Sequence, residues 1–117
     1  MTQVLTFIHR SVRAAIPAQQ ADGLAASDAG LERIALWRGG SEVIERWLRL
    51  RAARGHFGLS CSEVELLEVP SRELIPISGV LAAALKLPHV VGFATIAHKP
   101  TWLVDVTRLT ANNARVE

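Results

Sequence analysis

The chain has 117 residues and a formal net charge of +2; 50% of its residues are hydrophobic and 21% are charged. That length suits one domain rather than two, and that much apolar surface excludes a disordered chain and supports a core without staples. A single cysteine, Cys61, excludes an internal disulfide framework, and so small a net charge does not by itself call for a polyanionic partner.

Residues 3–15 read as an amphipathic helix, with Val4, Leu5, Ile8 and Val12 on one face. A strand from Gln3 to Ile8 fits the same residues. The apolar run has no basic residue before it and is closed by His9-Arg10, which is not the form of a secretory signal. Pro17 pushes Ile16 out of helical geometry and closes the segment. Pro17 to Ala26 has no period and reads as a loop. Ser27 or Asp28 can cap a second helix carrying Leu31, Ile34, Ala35 and Trp37, which Gly39-Gly40 ends. Ser41 caps a third helix, Glu42 to Arg54, stopped by Gly55 and supported by the i,i+4 pairs Glu42–Arg46 and Glu45–Arg49.

Ser60 to Val69 fits two elements. Ser62 and Glu65 have the spacing of a capping box, which argues for helix, whereas the alternation of Glu63, Val64, Glu65 and Leu66 argues for strand. Ser78 can cap a short, Ala-rich, buried helix that Pro88 terminates after Leu87. The clearest β signal closes the chain: Val90 to Ala97 and Thr101 to Arg108 are rich in β-branched residues and flank His98-Lys99-Pro100. Pairing Ala97 with Trp102 sets Thr95 opposite Val104 and Phe93 opposite Val106. These six form one apolar face, and Pro100 calls for a loop longer than a two-residue primed turn. Leu74 to Ala97 is mostly apolar, but Pro76, Lys86, Pro88 and His89 divide it into pieces shorter than the ~20 residues a membrane span wants. No membrane association is expected.

The third helix carries the main anomaly. At about 100° per residue, the arc built by Val43, Ile44, Trp47, Leu48 and Leu50 also takes in Arg51 and Arg54. Arg46, Arg49, Glu42 and Glu45 lie on the solvated side. An arginine on a core stripe must find a carboxylate, a carbonyl or a ligand anion. Arg51 and Arg54, with Trp47 to stack on a guanidinium and His56 close by, are therefore candidate anion- or ligand-binding residues. The structural alternative has helix-end arginines snorkelling, or paired with Glu63, Glu65 or Asp105. Cys61 could add a nucleophile beside Arg51, Arg54 and His56. Arg46 and Arg49, on the Arg-rich helix 42–54, are the candidates for nucleic-acid contact.

Ala35 and Gly39 have the spacing of a DNA-binding helix-turn-helix, but counting from Leu31 the slot that must be buried holds Glu45. Glu42 and Glu45 would also meet phosphates. Trp37 beside Arg38 is interface-like and marks both as interface candidates. His9, His56, His89 and His98 are scattered, and Cys61 has no second ligand pair nearby, so no metal is expected. With no G-x-S-x-G motif, phosphate loop or paired carboxylates, no catalytic residue is assigned and no cofactor is expected.

Together these readings predict one cytoplasmic α+β domain over residues 1–117: N-terminal helices packed on a small antiparallel sheet that includes a C-terminal β-hairpin. The expected function is a non-catalytic protein-interaction or regulatory module, binding a partner protein or itself as a homodimer. Nucleic-acid binding through helix 42–54 is one alternative. A small-ligand or catalytic pocket near Arg51, Arg54, His56 and Cys61 is the other.

Overall fold

The computed structural model describes residues 1–27, 30–41, 43–52, 55–78, 80–81, 84 and 86–109. Its strands are β1 (Thr2–His9), β2 (Val12–Pro17), β3 (Ala21–Ala25), β4 (Glu32–Arg33), β5 (Arg46–Ala52), β6 (Gly55–Val69), β7 (Ile75–Pro76), β8 (Val90–Ile96) and β9 (Lys99–Val104). They hydrogen-bond in the order β3-β5-β6-β1-β2-β9-β8-β7, with β4 on β6 beside this path. Neighbours are antiparallel except for the pairs β2–β9 and β4–β6. The α+β expectation is therefore wrong: among the described residues no N-terminal helix packs on the sheet, because residues 3–9, 12–15 and 46–52 are strands of it.

β1 shows why the helical reading failed. Val4, Leu5, Thr6 and Phe7 are all buried, since Leu5 and Phe7 enter one core and Val4 enters another. A strand covered on both faces loses the alternation that distinguishes it from a helix. The alternative strand, Gln3 to Ile8, matches this element. Arg10 and Ser11, with φ of 48° and 68°, form the two-residue turn that sets His9 opposite Val12. Pro17 then belongs to β2, and the expected loop after it holds a 3₁₀ turn (Ala18–Gln20) and β3.

The second predicted helix is replaced by the short β4 and an irregular segment. Ile34 and Leu36 are buried from that segment, and Ile34 N donates to Gly58 O at 3.1 Å. The third predicted helix is β5 over its regular part. Leu48 and Leu50 are 1% and 0% exposed, whereas Arg49 and Arg51 lie at the surface. Trp-Leu-Arg-Leu-Arg alternates with period two, and the arc that appeared to bury Arg51 came from imposing a period of 3.6. Glu42 and Arg54 lie outside the described residues.

Ser60 to Val69 is strand throughout, the last two-thirds of β6. This long strand joins the two parts of the sheet: it pairs with β5 at its start and β1 at its end, with a bulge where β1 passes from Thr6 to Ile8. Glu63 lies in that bulge with φ of 50°.

The C-terminal hairpin exists, but in a different register. Phe93 pairs with Trp102 where Val106 was expected, and their rings pack edge to face at 5.1 Å. The buried face is the opposite one, carrying Val90, Gly92, Ala94, Ile96 and Thr101. The turn is a tight one after all, at Ala97 and His98, with φ of 51° and 63°. Pro100 lies beyond it, opposite Thr95, at the position next to the closing pair Ile96–Lys99. Hydrogen-bonded and non-hydrogen-bonded pairs alternate there, so its missing N–H costs the β8–β9 ladder nothing.

Val80, Leu81 and Ala84 are helical, and Leu81 N donates to Ser78 Oγ at 3.2 Å, the expected cap. These three residues are exposed rather than buried, with Val80 at 85%. Asp105 caps a 3₁₀ turn (Val106–Arg108), accepting from Thr107 N and from Gln20 Nε2, both at 3.0 Å. Burial opposes its charge, but the hydrogen bonds from Thr107 and Gln20 outweigh that and hold its carboxyl below the ordinary value.

Candidate functional site

The alternation of β5 that buries Leu48 and Leu50 turns Trp47, Arg49 and Arg51 to the other face. Their cross-strand neighbours on β6 are Ser60, Gly58 and His56. On the far side of β6, Arg33 of β4 stands in register with Gly58, so that Arg33, Gly58 and Arg49 form a row across three strands. The Arg33 guanidinium lies over the Trp47 ring, 4.9 Å from its centroid.

Asp22 of β3 closes this constellation. Its Oδ2 lies 2.8 Å from His56 Nε2 and 4.0 Å from Arg49 Nε, and its Oδ1 lies 3.3 Å from Arg51 Nη2. The His56 hydrogen bond, followed by the charges of Arg51, His56 and Arg49, holds the Asp22 carboxyl below the ordinary carboxylate value. Beside it opens a cleft of about 410 Å³, with Leu24, Leu31 and Trp47 as apolar walls and Asp22 and Arg49 as polar ones. The arrangement can hold a carboxylate or another anion against two guanidiniums, next to an aromatic surface.

Of the residues singled out from sequence, Trp47, Arg49, Arg51 and His56 meet on this face, while Arg54 lies outside the described residues. Arg46 faces Cys61 across the ladder, on the other parity, and its Nη1 donates to Glu45 O at 3.0 Å. Cys61 points into the core and is fully buried; burial pushes its thiol up to about 11. A pocket joining Arg51, His56 and Cys61 therefore does not form, because positions 56 and 61 of one strand project to opposite faces. Trp37 is half-buried with its Nε1 donating to His9 O at 2.9 Å, so its polar edge is turned inward, and Arg38 is exposed. Among the described residues no group of three His, Cys, Asp or Glu side chains could hold a metal ion, and no helix is long and apolar enough to cross a membrane.

Sequence reasoning missed Asp22 and Arg33. Asp22 falls in the stretch Pro17 to Ala26 that reads as a loop, and Arg33 in the second predicted helix. The available signal was the period-two spacing of Trp47, Arg49 and Arg51, which marks an outward strand face and asks for an acid opposite it.

No family model matches the chain, and no curated protein matches it. In three dimensions it is similar to the scaffolding protein TtCheW from Thermoanaerobacter tengcongensis, whose crystal structure superposes with a TM-score of 0.68 at 14% sequence identity. The match covers 97% of this chain and 95% of that one. The likeness is one of fold.

Proposed function

We propose that the 117 residues form one non-catalytic domain that binds a partner protein, with the outward face of β5 and its adjoining cleft as the contact surface. The observation that carries this reading is an architecture shared along 97% of the chain with a protein described as a scaffold. The composition of the face supports it, since tryptophan and arginine are the residues in which interface hot spots are enriched. The residue best placed by type to act as a nucleophile, Cys61, is buried with a raised pKa, which disfavours its thiolate.

Site-specific photo-crosslinking in cells of the source organism tests the reading. A crosslinking residue at position 49 is expected to give a discrete adduct with a protein, and one at Glu68, exposed on the opposite end of β6, is expected to give none. An adduct with a second copy of the chain would identify the partner as the protein itself. No adduct from position 49, or the same adducts from both positions, would refute the reading.

A further inference from the structure

Trp47, Arg49 and Arg51 occupy alternate positions of β5 on its outward face. Alternate residues of a strand stand roughly 6.6–6.8 Å apart, so the face presents one ring and two guanidiniums at a regular interval. Asp22 meets this row from β3, at 4.0 Å from Arg49 and 3.3 Å from Arg51. One carboxylate between two guanidiniums leaves the row cationic. Both arginine side chains also keep much of their surface in water, at 48% and 60% exposure.

We infer that this row docks an extended acidic segment of a partner protein, with two carboxylates at alternate positions and an apolar residue two positions beyond them. The carboxylates sit on Arg51 and Arg49, whose forked donors suit them. The apolar residue sits in the cleft walled by Leu24, Leu31 and Trp47, whose ring also carries the Arg33 guanidinium. The complementarity has three parts: opposite charge, equal spacing along two extended chains, and an aromatic contact at one end only. That last asymmetry sets the direction of the bound segment. Asp22 is the built-in stand-in for the partner's carboxylate; it keeps the guanidiniums arranged and competes with the ligand for them. Nucleic acid fits less well, because its affinity grows with the number of phosphates neutralised, and this face offers the guanidiniums of Arg33, Arg49 and Arg51 with the Asp22 carboxylate between the last two.

The inference rests on the protein-binding reading and names the chemistry of the partner. Its test uses the intact chain and two synthetic peptides of one composition. One carries the acid-x-acid-x-leucine pattern; the other carries the same residues scrambled. Fluorescence anisotropy at low salt is expected to show saturable binding of the patterned peptide only. The double variant Arg49→Glu, Arg51→Glu is expected to weaken that binding by about tenfold or more, as for loss of paired interfacial charges. Asp22→Asn is expected to strengthen it about threefold by removing the internal competitor. A far-UV circular dichroism spectrum matching the parent shows that each variant is folded. Equal binding of both peptides, or unchanged binding by the folded double variant, would overturn the inference. So would displacement of the peptide by a single-stranded oligonucleotide of higher affinity. Any of these failures alongside a protein adduct from position 49 would reject the acidic segment and leave protein binding standing; loss of the adduct would reject protein binding itself.

Discussion

His9 and His89 grip the two ends of one residue. Leu36 N donates to His9 Nε2 at 3.2 Å, and His89 Nε2 donates to Leu36 O at 2.5 Å. With Nε2 accepting, His9 uses Nδ1 as the donor to Ser60 O at 2.7 Å. Both histidines are 1% exposed, and Trp37 leans on the first, its ring centroid 5.6 Å from that of His9. The irregular segment between β4 and β5, which has no ladder of its own at Leu36, is thereby fastened to β1 and to the residue just before β8.

This fastening makes stability sensitive to acid. Burial costs His89 its charged form, so its pKa in the folded state lies below the ordinary 6.5. The unfolded chain then binds the proton first. The contribution of His89 is fully present above about pH 6.5 and is lost as pH falls toward the folded value, with a slope of at most about 1.4 kcal/mol per pH unit. Thermal melts from pH 8 to 5 are expected to show a flat midpoint above neutrality and a falling one below it. In His89→Gln the fall should be shallower. A midpoint independent of pH would contradict the assignment.

Gly40 should tolerate no side chain. A Cβ there would stand 2.0 Å from Arg10 O, a backbone atom held in the β1–β2 turn, and φ at Gly40 is 74°. Gly39 has a comparable φ of 81° but open space around it. Gly39→Ala is therefore expected to cost about 1 kcal/mol from backbone strain alone, and Gly40→Ala about 3 kcal/mol or more because the turn must move. Urea denaturation of the two variants side by side measures the difference. Equal losses would show that the contact between the two loops is not tight.

Cys61 should be chemically silent in the folded protein. Its side chain is enclosed, its pKa is raised to about 11 first by burial and then by the charge of Glu45, and its Sγ donates to Arg46 O. A thiol reagent at pH 8 is expected to modify it only at the rate of unfolding and promptly in denaturant. Rapid labelling of the native chain would place the thiol outside the core.

The Asp22 cluster should be visible in a titration. Its carboxyl is expected to titrate below 3.8 when followed by carbon-detected nuclear magnetic resonance. His56→Ala should raise that value more than Arg51→Ala, since the His56 hydrogen bond is the largest favourable cause and the Arg51 charge comes after it. No change in either variant would mean that Asp22 does not face these side chains in solution.

The amino-acid sequence by itself determined a chain rich enough in apolar residues to fold, a free cysteine, the strand character of Val90–Ile96 and of residues 101–104, and the cap at Ser78. It also carried the period-two string from Trp47 to Arg51, although helical arithmetic was laid over it. Only the tertiary structure decided that the N-terminal half is sheet. Val4 to Phe7 is buried on both sides, so its residue types show no contrast between faces, and covering by distant strands is not a local property. Only the tertiary structure decided the register of the last hairpin, which follows from a tight turn at Ala97 and His98 that carries none of the Asn, Asp or Gly residues that mark such turns in sequence. The candidate site belongs to this second group as well. Asp22 and His56 lie 34 positions apart and meet because β3 and β6 flank β5 on either side, a neighbourhood created by strand pairing and written in no stretch of consecutive residues.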